Sequence, residues 1–183
     1  GHDFHFGFKG IGDPDKLLSR SAELDMGCSI IPKVELDGIT VSSTYIRRLL
    51  EHGEVERAND FLGHPHTMSG TVEYGRKLGS SIGIPTVNIP IPNGVISPAF
   101  GVYITKLCVG GEEYSGVTNV GVRPSVSSTG RISVETYILD FSGDLYGKEI
   151  RVEFYRRLRA ERAFSSIAEL TEQIRRDIAT TAK

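Results

Sequence analysis

Residues 101–122 read GVYITKLCVGGEEYSGVTNVGV, and their reading decides the fold. Two runs of β-branched and aromatic residues, GVYITKLCV and YSGVTNVGV, flank a Gly-Gly turn signal. That is the pattern of a β-hairpin. Two further runs follow, RISVETYIL (131–139) and EIRVEFYRRL (149–158), with RPSVSSTG and SGDLYGK as turn signals between the runs. No helical period separates the strands, so the sheet is expected to be antiparallel, as a small barrel or sandwich. The chain ends in a helix. Ser166-x-x-Glu169 is a capping box, and Phe164, Ile167, Leu170, Ile174 and Ile178 form an apolar stripe that would close one side of the sheet.

Upstream the pattern differs. CSIIPKVEL (28–36) reads as a short apolar strand. SSTYIRRLLEHG (42–53) reads as a helix with hydroxyl caps, Ile46, Leu49 and Leu50 on one face, and Gly53 as the stop. EVERANDFLG (54–63) repeats the pattern through Val55, Ala58, Phe61 and Leu62. Residues 1–64 are net acidic and 65–183 net basic, and all five histidines lie in the first 66 residues. The domain boundary is therefore placed between residues 64 and 65. An α/β segment of about 64 residues is small for an independent domain.

The whole chain has 183 residues and a formal net charge of −2. That argues against a long nucleic acid as partner and for small ligands. Cys28 and Cys108 have no metal-type spacing and read as free thiols of a reducing cytoplasm. No apolar run is long enough to span a membrane. The pairs His2/His5 and His64/His66 lack the carboxylate or thiol spacing of a metal site.

Four stretches carry candidate chemistry. In YGRKLGSSIGIPTVN (74–88), Gly75, Gly79 and Gly83 recur at four-residue steps, and Arg76 and Lys77 add positive charge. Such a loop can turn backbone N–H groups towards phosphate oxygens. Pro85 stiffens its exit. Thr86 and Asn88 are two apart on an extended chain and point the same way, as hard neutral oxygens suited to a Mg²⁺ shell completed by phosphate. A plain glycine-rich turn entering a strand explains the same residues. In RISVETYIL, Glu135 shares a face with Ser133, Tyr137 and Leu139, opposite Ile132, Val134, Thr136 and Ile138. In a cleft it would accept a proton from a substrate hydroxyl; facing water it is an ordinary glutamate. Arg151, Arg156, Arg157, Arg159 and Arg162 cluster near the final helix, as a phosphate contact or a solvated charged face. Ser42, Ser43 and Thr44 stand at a helix start, where N–H groups favour an anion, with Arg47 one turn in.

Taken in order, GRKLGSSIGIPTVN, FGVYI, GVTNVGVRPS, VETYILDFSGDLYGKEIRVEF, LRAERAF and the closing helix resemble the riboflavin kinase family over roughly residues 68–180. GHDFHFG and VSSTYIRRLL resemble the G-x-D-F-x-F-G and I-S-S-T-x-I-R motifs of flavin nucleotidyltransferases. The whole resembles the C-terminal part of the bacterial bifunctional riboflavin kinase/FMN adenylyltransferases (FAD synthetases). The resemblance implies an α+β chain. Residues 1–64 would be the incomplete tail of a Rossmann-like nucleotidyltransferase domain. Residues 65–183 would be a kinase domain, a six-stranded antiparallel barrel with a C-terminal helix.

It also implies ATP-dependent phosphorylation of the riboflavin 5′-hydroxyl to FMN, with Mg²⁺ as cofactor, riboflavin/FMN and ATP/ADP as partners, and FMN or ADP as bound product. No obligate protein partner, membrane or nucleic acid is expected. A non-catalytic flavin-binding barrel is the alternative. By the resemblance Glu135 is the base, and Thr86 and Asn88 hold Mg²⁺. Gly75, Arg76, Lys77, Gly79, Gly83, Pro85, Ile138, Asp140 and Tyr146 meet ATP, and Arg159, Arg162 and Phe164 hold the flavin. Ser42, Ser43, Thr44 and Arg47 are the nucleotidyltransferase remnant. Val87 replaces the family's usual Ala and Ser125 its usual Thr. Ser80 stands where a basic residue is frequent, leaving Arg76 or Lys77 to take its phosphate contact. The H-x-G-H-type motif of an adenylyltransferase is absent, so FAD formation is expected only of a longer parent protein.

Overall fold

The computed structural model describes residues 3–74, 84–123 and 131–181. The glycine-loop residues Gly75, Arg76, Lys77, Gly79, Ser80 and Gly83 lie outside them, as does Ser125. The chain forms two compact units, residues 1–42 and 43–183.

The first unit holds a 3-10 turn, Phe8–Gly10, then helix α1, Pro14–Glu23, and a small antiparallel hairpin of β1, Glu35–Leu36, and β2, Ile39–Thr40. Asp13 caps α1 by accepting from the Lys16 N–H at 2.8 Å, and Pro14 takes the first helical position. The expected strand over 28–36 is confined to its last two residues, because only Glu35 and Leu36 find a partner strand. None of this unit's large apolar side chains is buried, and Phe4, Phe8, Ile11, Leu24, Met26, Ile31 and Val34 are exposed.

The second unit begins with helices α2, Ser43–His52, and α3, Val55–Leu62. Gly53 (φ 80°) and Gly63 (φ 75°) end them in the left-handed region, as the sequence predicts. Leu49, Leu50, Val55, Ala58 and Phe61 are buried. The Asn59 side chain ties α3 to the sheet. Its Nδ2 donates to the Phe154 carbonyl at 2.8 Å and its Oδ1 accepts from the His66 N–H at 2.7 Å. The packed unit therefore starts upstream of the change in composition at residues 64–65.

Six strands follow: β3, His66–Thr71; β4, Thr86–Pro90; β5, Gly101–Val109; β6, Glu112–Arg123; β7, Arg131–Ile138; and β8, Glu149–Ala160. All pairs are antiparallel, in the spatial order β3-β8-β5-β6-β7-β4. The expected closed barrel does not form among the described residues. The edge strands β3 and β4 approach each other at Gly70 and Ile89 but form no ladder among the described residues, where one isolated bridge joins Glu73 to Asn88 beyond the end of β3, and the sheet is an open half-barrel. Two register shifts along β8 leave Tyr155 and Leu158 without partners on β5 and sharpen its curl. Helix α4, Ile167–Thr181, ends the chain.

The concave face of the sheet is the core. Met68, Ile89, Tyr103, Leu107, Val120, Val134, Val152 and Phe154 are buried there. The hydroxyls of Thr105, Thr118 and Thr136 run across it in a chain, 2.7 Å and 2.8 Å apart, satisfying one another out of water. The Tyr103 hydroxyl donates to the Ala99 carbonyl, and burial pushes its pKa up to about 12.

Candidate active site

The alternation of β7 sends Val134, Thr136 and Ile138 into the core and leaves Glu135 and Tyr137 on the opposite face. There they line a cavity of about 310 Å³ between the sheet and α4. Val102, Val117 and Asn119 continue its floor on β5 and β6, while Phe164, Leu170 and Ile174 form the α4 side. Cross-strand register aligns the polar groups. Asn88 pairs with Glu135, Glu135 with Asn119, Asn119 with Val102, and Val102 with Arg159. One row across five strands thus carries two carboxamides, a carboxylate and a guanidinium. Sequence reading placed Tyr137 on the face of Glu135 without giving it a role, and missed Asn119. Their face is legible from alternation, but the register that brings Asn119 beside Glu135 is not.

A second cavity of about 340 Å³ lies at the far side of β4, lined by Pro85, Thr86, Val87, Ile138, Leu145 and Tyr146, among others. Tyr146 stacks on Tyr74 with ring centroids 4.0 Å apart, an aromatic wall the sequence did not reveal. Thr86 lines both cavities, so the two adjoin at this residue. Asp140 adopts φ 53° in the turn after β7, is exposed, and lines neither cavity.

Two oxygen donors close to this junction suit a divalent cation, although Asn88 itself lines neither cavity. Asn88 is only 5% exposed, and its Oδ1 is buried with no hydrogen-bond partner among the described residues. A buried carbonyl oxygen without a donor is costly unless something electropositive meets it. Together with the Thr86 hydroxyl it offers hard oxygen ligands.

On the helix side, Arg159 and Arg162 both flank Phe164, at 5.7 Å and 4.7 Å from its ring centroid. The Arg159 guanidinium pairs with Asp177, its Nη2 donating to Oδ2 at 2.8 Å. Glu161 lies across from β6, with its Oε1 1.9 Å from where a Cβ on Gly121 would fall. The capping box forms with a shift. Ser166 Oγ accepts from the Glu169 N–H at 3.2 Å, but the Glu169 carboxylate reaches back to Ser165, accepting from its N–H at 3.0 Å and its Oγ at 2.8 Å. Those bonds, foremost the one from the Ser165 N–H, hold the Glu169 carboxyl below the usual range. Away from the cavities, Arg47 Nη1 donates to Ser43 Oγ at 3.4 Å, one turn back along α2.

Residues 62–183 match the Flavokinase family model, described as riboflavin kinase. Among curated proteins, the Bacillus subtilis bifunctional riboflavin kinase/FMN adenylyltransferase is 40% identical over 97% of this chain and 56% of its own length. The Escherichia coli K12 protein of the same name is 39% identical, over 97% and 56% respectively. The chain thus spans a little over half the length of these relatives. A Streptococcus pneumoniae crystal structure, described as a macrolide-efflux protein, superposes with a TM-score of 0.89 at 30% identity, covering all of this chain and 59% of that one.

These matches make the chain an enzyme, and its class a phosphotransferase. More narrowly, it belongs to the riboflavin kinase family, as its motifs led one to expect. Among the described residues no helix is long and apolar enough to cross a membrane.

Proposed function

We propose that this chain transfers the γ-phosphoryl group of ATP to the 5′-hydroxyl of riboflavin, giving FMN and ADP. The observation that carries the reading is the junction at Thr86: two cavities, each of ligand size, share this one residue, with Asn88 two along the same strand and Glu135 one strand away. The flavin takes the cavity under α4, against Phe164. ATP takes the cavity of Ile138 and Tyr146. Glu135 accepts the hydroxyl proton as that oxygen bonds to the γ-phosphorus and the bond to the ADP oxygen breaks. Thr86 and Asn88 hold Mg²⁺, which when bound neutralises phosphate charge. The protein's share is mostly positioning, the usual economy of phosphoryl transfer. Gly75, Gly79 and Gly83 with Arg76 or Lys77 cover the phosphates in this reading, and Pro85 fixes their exit.

Residues 1–64 we assign to the end of a nucleotidyltransferase domain, with Ser42, Ser43, Thr44 and Arg47 its remaining motif. The exposed apolar side chains of residues 1–42 suit such a fragment. Adenylylation of FMN to FAD then needs more than this chain. Two free cysteines suit a cytoplasmic setting.

The test is incubation of the purified chain with riboflavin and Mg·ATP, read by chromatography. FMN is the expected product. Riboflavin bound but unchanged would instead favour a non-catalytic flavin-binding protein. FAD made from FMN and ATP would overturn the assignment of residues 1–64.

A further inference from the structure

Glu169, Gln173 and Asp177 recur every four residues and so share one face of α4. That face is a ladder of acceptors, and the arginines beside Phe164 are bound to it. Asp177 is 6% exposed, although it is a carboxylate on a helix at the end of the chain. Arg159 grips it from two nitrogens, with Nε at 3.3 Å and 3.1 Å from the two oxygens and Nη2 at 2.8 Å from Oδ2. Gln173 joins the two arginines. Its Nε2 donates to Asp177 Oδ1 at 2.9 Å, and its Oε1 accepts from Arg162 Nη2 at 3.1 Å. Arg162 Nη2 also lies 3.7 Å from Glu169 Oε1. Both guanidiniums face the same Phe164 ring.

We propose that Asp177 and Gln173 are positioning residues of the flavin pocket: through Arg159 and Arg162 they clamp Phe164 and fix α4 as the wall of the cavity. The inference rests on the reading of that cavity as the flavin site, and it changes the part played by the two arginines. Their charge is committed to the helix, so what they present to the cavity is a fixed aromatic ring. Leu170 and Ile174 also hold α4 to the sheet, but apolar contact is non-directional. A buried ion pair adds little net stability over an apolar pair of the same volume. What it adds here is direction, since the bidentate geometry sets the rotation of α4 about its axis.

The experiment compares Asp177→Asn and Gln173→Ala with the wild-type chain. Riboflavin KM, ATP KM and kcat are measured, together with hydrogen exchange of the 167–181 backbone. Asp177→Asn is expected to raise the riboflavin KM about tenfold and Gln173→Ala about threefold, with ATP KM within about twofold of wild type. Exchange over 167–181 should quicken in both. Equal rises in both KM values would overturn the proposal, as would an unchanged riboflavin KM. If Asp177→Asn fails to fold, the neutral and less buried Gln173→Ala decides by the same readouts. If the wild-type chain makes no FMN, the functional reading falls separately. The clamp then stands on faster exchange and weaker quenching of riboflavin fluorescence in the variants, and falls if neither changes.

Discussion

The two faces of the half-barrel are built from the same strands and do different work. On β7, Val134 and Thr136 are at most 1% exposed and face the core, while Ile138 at the strand's end also lines the second cavity. Glu135 and Tyr137, alternating with them, face a cavity. On the inner face the hydroxyls of Thr105, Thr118 and Thr136 satisfy one another. The outer face keeps polar groups in reserve, among them the Asn88 Oδ1, which has no partner among the described residues. Stability and chemistry are thus separated by a single step along the chain. Substitutions on one face should leave the other's property intact.

The largest effect expected from breaking that separation is on the outer face. Glu135→Gln should lower kcat about 10³-fold, the scale of general-base removal, with melting temperature and ATP affinity little changed. Loss of activity in step with loss of folding would refute the division. Leu107, fully buried on the inner face, gives the converse. Leu107→Ala should cost about 3 kcal/mol in denaturant unfolding and leave KM values near wild type. Thr86 comes next. Thr86→Ala should weaken Mg·ATP binding about tenfold by calorimetry, close to 1.4 kcal/mol, and equal affinity would remove it from the metal site.

The smallest effect is a pH dependence at the end of the inner face. His66 is buried against Phe154, with Nε2 3.0 Å from the Ile96 carbonyl. Burial lowers its pKa below the ordinary 6.5. The unfolded chain then binds the proton more readily, so this contribution to stability is full above pH 6.5 and is lost as pH falls towards the lowered value. Thermal melts from pH 7.5 to 5 should show that decline, and His66→Gln should flatten it.

Much of this was legible in the sequence. The alternation of RISVETYIL separated Glu135 from Val134 and Thr136, and the glycine stops of α2 and α3 came out where expected. Closure was not legible. It depends on how two edge strands meet, and β3 and β4 are too far apart in sequence for any local signal to set their pairing. The strand expected over 28–36 failed for a related reason, since apolar content supplies propensity but no partner. Asp177 was missed although its four-residue spacing from Gln173 and Glu169 is plain, because a polar helix face reads as solvated until the arginines opposite are known.

The bulges of β8 carry a last consequence. Arg157 and Arg159 are two residues apart and would lie on one face of a regular strand. The extra residue Leu158 lies between them. Arg157 pairs with Tyr103, which points into the core, and its guanidinium donates to the carbonyls of Phe100 and His52. Arg159 pairs with Val102 and turns to the cavity and Asp177. A strand therefore has a phase, and one residue resets it. Two identical side chains in the same short word, RRLR, are addressed to different layers of the molecule by the letter between them.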